Sequence, residues 1–424
     1  MHNPLPRLAS AAARSNGQHS DPLEQLMQHL LQDKVTRLGV TFLDRYLDIH
    51  LKDIDIDFMD DQRRMRVGRQ EMVNFGSDSF LGLDRDRRLH QAITNCLPEW
   101  GTHNGASRAF SNCALCGQAE QRIARWLGVE DTLIFTSVTL ANTGLIPALV
   151  SKRDLLVVDR HSHNSIQEAA KIAASNGVTV RELYPCLPET LESLLQSEHY
   201  DACVVAVDGV YSMSGQIPPL ADLDRVARAH RGILYIDDAH GVGVIGERGR
   251  GAAYRALGTL QNVLMVGSLS KAFSCLGGFV TCKRGELKRI LKIKSNTFIF
   301  GGPVPPPYLA AIMAACDILE SSDYDRLIGQ LQMLIGRLVA GIRNLGMQVL
   351  GGESPIVSVT IGDIEKTFRA GKWLFNHGYY VQSATYPAVP INGGLLRIQV
   401  NANHSVAQVD GLIDAIGKMK QCLV

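Results

Sequence analysis

The 424-residue chain has almost no net charge, 43 Lys and Arg against 42 Asp and Glu leaving a formal +1. Nucleic acid calls for a basic stripe on its partner, so that class of ligand is not indicated. Long hydrophobic runs are missing too, and no apolar stretch approaches the ~20 residues that span a bilayer. Residues 1–21 are polar, interrupted by prolines and short of an apolar core, and read as a disordered tail rather than a secretion signal. Cysteine is present, but not in a metal pattern. Of the nine, Cys113 and Cys116 make one isolated Cys-x-x-Cys, whereas a zinc site wants a second pair, so no metal is expected. These are the reduced thiols of a cytoplasmic enzyme. Internal repeats and low-complexity segments are also absent. What is there is enough apolar material, 46% of residues, to bury a large core, at a length that favours more than one unit.

The text alternates. Residues 23–51 carry apolar side chains at helical spacing and suit an arm, followed by short strand-like pieces near 54–58 and 72–75. Apolar runs at Leu133-Ile134-Phe135, Leu155-Leu156-Val157-Val158, Cys203-Val204-Val205-Ala206-Val207 and Ile233-Leu234-Tyr235-Ile236 are separated by helix-length mixtures, the rhythm of a mostly parallel sheet covered by helices. After the prolines of 303–307, a helical stretch over 308–344 leads to Ile356-Val357-Ser358-Val359-Thr360-Ile361, another helix and a strand at 395–400, which suits a smaller α+β domain. The expected division is a tail at 1–21, an arm with short strands at 22–75, a large domain at 76–305 and a small domain at 306–424.

Two motifs carry chemistry. Val263-Leu264-Met265-Val266 is strand-like and delivers Gly267-Ser268-Leu269-Ser270-Lys271, and the buried run before Asp237-Asp238-Ala239-His240-Gly241 delivers a carboxylate into a glycine-rich turn. Chemistry collects at such strand ends. Taken singly, Lys271 suits a solvated side chain, Asp237 a helix cap and His240 an ordinary turn histidine. Together, a buried carboxylate that needs a cationic partner and a lysine downstream point to pyridoxal phosphate, whose pyridinium nitrogen supplies that cation.

At these residues the chain resembles the α-oxoamine synthases, pyridoxal-phosphate enzymes of fold type I. The resemblance rests on Asp208-Gly209-Val210-Tyr211-Ser212-Met213-Ser214-Gly215 with Pro219-Leu220, on Asp237-Asp238-Ala239-His240-Gly241-Val242-Gly243, on Ser268-Leu269-Ser270-Lys271-Ala272, and on Tyr386-Pro387-Ala388-Val389-Pro390 ahead of Arg397. It implies an α/β fold whose large domain holds a mostly parallel seven-stranded sheet, with a smaller α+β C-terminal domain. It further implies that Lys271 carries the cofactor as a Schiff base and shuttles the Cα proton, that Asp237 keeps the ring nitrogen protonated, and that His240 and Ser212 touch the phenolic oxygen. Ser268, where relatives usually carry threonine, gives a hydroxyl to the phosphate. Asp159-Arg160-His161-Ser162-His163-Asn164-Ser165-Ile166 matches the segment that lays a histidine on the pyridine ring; two histidines two residues apart leave the register open, and the match favours His163.

Departures from the family text mark three further places. Asp78, in Ser77-Asp78-Ser79-Phe80-Leu81-Gly82-Leu83, stands where relatives have a carboxylate-binding asparagine, and an aspartate repels a carboxylate unless protonated or paired. Val138 and Thr139 replace a glycine and an aromatic residue whose backbone amides meet the phosphate, a role helix-start amides fill through the backbone. Gly301 and Gly302 replace small hydroxyl residues that reach the phosphate from a second subunit, so a homodimer with sites at its interface is implied. Arg108, in Gly101-Thr102-His103-Asn104-Gly105-Ala106-Ser107-Arg108, is read as facing substrate, with an ordinary glycine-held loop as the equal alternative. Arg397 would hold the amino-acid carboxylate.

The implied activity is decarboxylative condensation of glycine, serine or alanine with an acyl thioester, on coenzyme A or an acyl carrier protein, to an α-amino ketone. The long stretch before Ser77 leans toward the serine palmitoyltransferase-like, long-chain members. A plain aminotransferase would use the same lysine and aspartate without a thioester. A silent partner subunit would lack Lys271, and a binding module leaves the ordered Asp237, His240 and Lys271 unexplained.

Overall fold

The computed structural model describes residues 21–33, 36, 37, 40 and 54–423. The tail expected over 1–21 lies, apart from Asp21, outside the described residues, as does most of the arm beyond residue 33. The arm begins as a helix, Pro22–Gln32, whose N-cap Asp21 accepts from the Leu23 N–H at 3.0 Å. Proline at the first helical position fits there because its missing N–H is one the helix leaves unpaired anyway.

The chain divides into two compact units, one of residues 77–358 with 399–410, the other of residues up to 76 with 359–398 and 411–424. The second opens with three antiparallel strands, β1 (Phe58–Met59), β2 (Arg64–Val67) and β3 (Gln70–Asn74). Along β2, Met65 and Val67 turn inward while Arg64 and Arg66 stay in solvent, the period-two pattern of a half-buried strand.

The larger unit is built on β4 (Asp131–Phe135), β5 (Leu155–Asp159), β6 (Thr179–Leu183), β7 (Cys203–Asp208), β8 (Gly232–Asp237), β9 (Leu264–Ser268) and β10 (Gly278–Cys282), arranged β4-β10-β9-β8-β7-β5-β6. Neighbours from β9 to β6 are parallel; β10 runs against both β9 and β4. This is the mostly parallel, seven-stranded sheet the resemblance implied. Every residue of β5 and β7 is buried, as strands covered on both faces must be. Leu156, Val158, Val204 and Ala206, alternate residues of these strands, join Tyr235, Val266 and Val280 in one core with Ala141 and Leu145 of the Val138–Leu149 helix and Ile166 and Ala169 of the Asn164–Ser175 helix.

Two features of this sheet position the chemistry. Parallel pairing brings carboxyl ends to one edge, so Asp159, Asp208 and Asp237, the last residues of β5, β7 and β8, finish on adjacent strands, with Asp208 opposite Asp237 in register. Between β9 and β10 the chain makes a closed hairpin: the Leu269 N–H donates to the Gly277 carbonyl at 2.9 Å, the Cys275 N–H to the Leu269 carbonyl at 2.8 Å, and Gly278 pairs with Ser268.

The helix expected over 308–344 is two helices, Pro306–Leu319 and Ser322–Asn344, because the Ser321 hydroxyl accepts from the Asp323 N–H at 3.3 Å and starts the second afresh. The first packs on the Arg87–Trp100 and Ala114–Leu127 helices of the larger unit. In the division into two compact units this helix and the next both belong to the larger one, which runs to residue 358. There follow β11 (Val349–Gly351), β12 (Ile356–Gly362), the Ile364–Asn376 helix, β13 (Tyr379–Tyr380), β14 (Gln382–Ala384), β15 (Gly394–Gln399) and the Val406–Leu423 helix. In the smaller unit β13 joins β3 in parallel and β14 runs antiparallel to β15, Gln382 facing Arg397. No helix among the described residues is long and apolar enough to cross a membrane.

Candidate active site

At the end of β8, Asp237 is buried and tightly held. Its Oδ2 accepts from Asn142 Nδ2 at 2.6 Å and its Oδ1 from the Ala239 N–H at 3.1 Å. Asn142 lies on the Val138–Leu149 helix, its Oδ1 accepting from the Tyr235 hydroxyl at 2.8 Å and its Nδ2 also donating to Ser165 Oγ at 2.9 Å. Ser165 in turn lies 2.7 Å from Nδ1 of His163. Asn142, Ser165 and Tyr235 are hydrogen-bonded neighbours of Asp237 and His163 that motif matching passed over. The signal was legible: a lone asparagine among the apolar residues of a covered helix must find partners.

The two other strand-end carboxylates pin the histidine loop. The His163 N–H donates to Asp208 at 3.0 Å and the His161 N–H to Asp159 at 3.1 Å, while the Tyr211 hydroxyl donates to Asp159 at 2.7 Å. Burial, and then the charge of Asp237, push the Asp208 carboxyl well above the usual carboxylate range. His163 is solvent-accessible as a residue, yet the protein packed around its imidazole and the nearby Lys271 cation lower its pKa, against the opposing pull of Asp237. The structure thus brings His163, Asp237 and Lys271 within electrostatic reach of one another.

Lys271 sits in the β9–β10 hairpin. The turn after β8 meets it directly: at Gly243, φ +90°, a Cβ would stand 2.5 Å from that of Ala272, so only glycine lets the His240 turn lie against the residue next to Lys271. His240 is buried in that turn. Ser268, also buried, has its hydroxyl 3.0 Å from that of Ser270. Ser212 follows β7, whose end is tied to β8 by the Gly209 N–H donating to the Asp237 carbonyl at 2.7 Å.

Val138 and Thr139 open a twelve-residue helix, capped by Ser137, whose hydroxyl accepts from the Leu140 N–H at 3.1 Å. Their own amides belong to the first turn, where a helix leaves N–H groups without intrahelical acceptors. Thr136 Oγ1 donates to the Gly301 carbonyl at 3.2 Å, which brings Gly301 beside this helix start. The Gly301 amide itself is taken by the Thr297 carbonyl at 2.9 Å. Gly302 is exposed at φ +73°.

Of the three expected substrate contacts, Asp78 and Arg108 belong to the larger unit with these groups and Arg397 to the smaller. Arg108 has its donors committed: Nη2 pairs with buried Glu120 at 2.8 Å, Nη1 donates to the Ile134 carbonyl at 2.9 Å and Nε to Asn112 at 2.9 Å. Glu120 also pairs with Lys288 at 2.8 Å, so Arg108 belongs to a buried ion cluster beside β4. Asp78 accepts from Gln399 Nε2 in the larger unit. Arg397 lies in the smaller unit, buried on β15, with Nη1 donating to Gln382 at 2.7 Å.

Residues 70–416 match the family described as aminotransferase class I and II. The chain is 32% identical to 8-amino-7-oxononanoate synthase of Geobacter sulfurreducens over 353 residues, covering 82% of this chain and 89% of that one. It belongs to the α-oxoamine synthase family. Solved structures share the fold: serine palmitoyltransferase of Sphingomonas wittichii at 24% identity and a TM-score of 0.86, covering 95% of this chain and 99% of that one, and 8-amino-7-oxononanoate synthase of Francisella tularensis at 23% and 0.71, covering 83% and 98%. As an α-oxoamine synthase the protein is a pyridoxal-phosphate-dependent C-acyltransferase. The donor set fits that cofactor: a buried carboxylate for a ring nitrogen, helix-start amides for a phosphate, and a lysine on the adjacent hairpin.

Asp238, next to Asp237, is packed among glycines. It is fully buried, its Oδ2 accepts from the Ala253 N–H at 2.9 Å, and a Cβ placed on Gly209, Gly241 or Gly251 would come within 2.5, 2.1 and 2.3 Å of its carboxylate. Burial pushes this carboxyl up to about 7. A folded-state pKa above the unfolded value means the folded protein holds the extra proton, so stability falls as pH rises from about 4 to about 7, by about 4 kcal/mol in all. Asp238→Asn, which does not titrate, is therefore expected to match wild type near pH 4 and to exceed its unfolding free energy increasingly up to pH 8. Denaturant melts at both pH values check this; a constant gap would mean that Asp238 carries no proton.

Proposed function

We propose that the protein condenses a small amino acid, glycine, serine or alanine, with an acyl thioester and releases carbon dioxide to leave an α-amino ketone. The observation that carries this reading is the convergence of Lys271, Asp237 and the His240 turn at one edge of the large sheet. Bound there, pyridoxal phosphate would supply an electron sink for the carbanion formed at Cα. Lys271 would hold the cofactor, then take and return the Cα proton. Asp237 would keep the ring nitrogen protonated, His163 would cover the ring face, His240 and Ser212 would meet the phenolic oxygen, and Ser268 with the Val138 and Thr139 amides would meet the phosphate. Arg397 would hold the amino-acid carboxylate, with Asp78 setting which amino acid is accepted.

A long acyl chain is the donor we favour. The support is that the serine palmitoyltransferase fold accounts for more of this chain than the 8-amino-7-oxononanoate synthase fold does, while the relatives above 30% identity carry the latter name. The protein acts in this reading as a cytoplasmic homodimer. Phe300, beside Gly301, is 82% exposed and Phe110 is 89% exposed, and the two segments are tied by Ser107 Oγ donating to the Ile299 carbonyl at 2.5 Å, an apolar surface suited to a second copy.

The test is a spectral titration of the holoenzyme with glycine, alanine and serine, followed by acyl-coenzyme A of graded chain length and by acyl carrier protein thioesters, with thiol release monitored. A band shift with one amino acid, and thiol release with long chains, is expected. Keto acid formation without thioester consumption would make the protein an aminotransferase instead.

A further inference from the structure

The amide of Asn142 meets three polar groups, Asp237, Ser165 and Tyr235, and each hydrogen bond around it has one direction. Turning the amide over would set Oδ1 against the Asp237 carboxylate, two acceptors 2.6 Å apart, so Nδ2 must face Asp237 and Oδ1 must accept from Tyr235. Nδ2 then uses its two hydrogens on Asp237 and Ser165 Oγ. Because Ser165 Oγ accepts that bond, its own proton is free to go to His163 Nδ1, 2.7 Å away. The Ser165 N–H aims at the same Nδ1 from 3.2 Å. Two donors converging on Nδ1 make it the unprotonated nitrogen.

We propose that Asn142 is a positioning residue that joins Asp237 to His163 through Ser165 and fixes His163 as the neutral imidazole with its hydrogen on Nε2. The inference rests on the reading in which Asp237 and His163 face the pyridoxal ring. A neutral imidazole sets no second positive charge against a protonated pyridine, whereas an imidazolium would oppose the proton that Asp237 is there to keep. One amide thus serves both faces of the same requirement. The titratable groups that face His163 are Asp208 at the end of β7, Asp237 at the end of β8 and Lys271 on the hairpin, and Asp237 alone would favour its protonation. Burial and the Lys271 cation favour the neutral form, and the Ser165 donors fix which of its nitrogens carries the hydrogen.

The experiment is nitrogen-15 NMR of histidine-labelled holoenzyme between pH 5.5 and 8, with His163 assigned by its loss in His163→Gln. Wild type is expected to show a pyridine-like Nδ1 and a protonated Nε2 throughout. Ser165→Ala and Asn142→Leu are each expected to raise the protonation midpoint of His163 by about one pH unit, a tenfold change, and to shift the pH dependence of the cofactor absorbance with it; Ser165→Thr should restore both. An Nδ1–H in wild type, or variants that keep the wild-type midpoint and spectrum, would overturn the proposal. Should Asn142→Leu not fold, the Ser165 pair decides alone. If wild type bound no pyridoxal phosphate the functional reading would fail, and the tautomer recorded on the cofactor-free protein would still decide this inference.

Discussion

Lys271→Ala is expected to abolish the visible absorbance of covalently held pyridoxal phosphate and to lower turnover by at least about four orders of magnitude. The amine would serve twice, as the covalent tether and as the base that moves the Cα proton, and a positioned general base alone contributes about a hundredfold to ten-thousandfold. The backbone bonds of the hairpin run through Leu269, Cys275 and Gly277 and do not involve the lysine side chain. The variant should therefore fold as wild type does. Absorbance at the wild-type wavelength in a folded variant would place the tether elsewhere.

Asp237→Ala should cost about a thousandfold in turnover, the scale seen when one preorganised electrostatic partner is removed. It also strands two donors, Asn142 Nδ2 and the Ala239 N–H, at a cost of about 1–3 kcal/mol for each that stays buried and unpaired. The two effects are separable. Asp237→Asn keeps the volume and loses the charge, so it should be nearly as inactive while unfolding closer to wild type. Turnover and denaturant melts on both variants check this, and wild-type turnover in either would remove Asp237 from the reaction.

Asp237 stands out in the sequence because it ends a short apolar run at a glycine-rich turn, and Lys271 because it follows such a run by five residues. Strands without that contrast were harder to see. β6 is an exposed edge whose Thr179, Arg181 and Glu182 read as surface text, and β10 is five residues long behind two glycines. The sequence at 308–344 turns polar at Glu320-Ser321-Ser322-Asp323, and the Ser321 cap within that short run is what divides the helix in two. Arg108 was placed by motif likeness, but which acid it meets depends on Glu120 twelve residues on, across a turn whose geometry no spacing specifies. Asn142 stands four residues after Val138 on the helix that opens there. What hid it was its partners, since Asp237 and Ser165 come from other strands and helices and the fold alone assembles them.

The antiparallel course of β10 has a mechanical consequence. A parallel successor to β9 would need a long crossover, whereas here the nine residues 269–277 turn back at once and are stitched at both ends. The backbone under Lys271 is therefore a fixed mount. Any travel of the amine between tethering a ring and reaching a proton must come from rotation about the bonds of its own four-carbon stem, a swing of a few ångströms that asks nothing of the sheet. The machine would move one crank and keep its frame still.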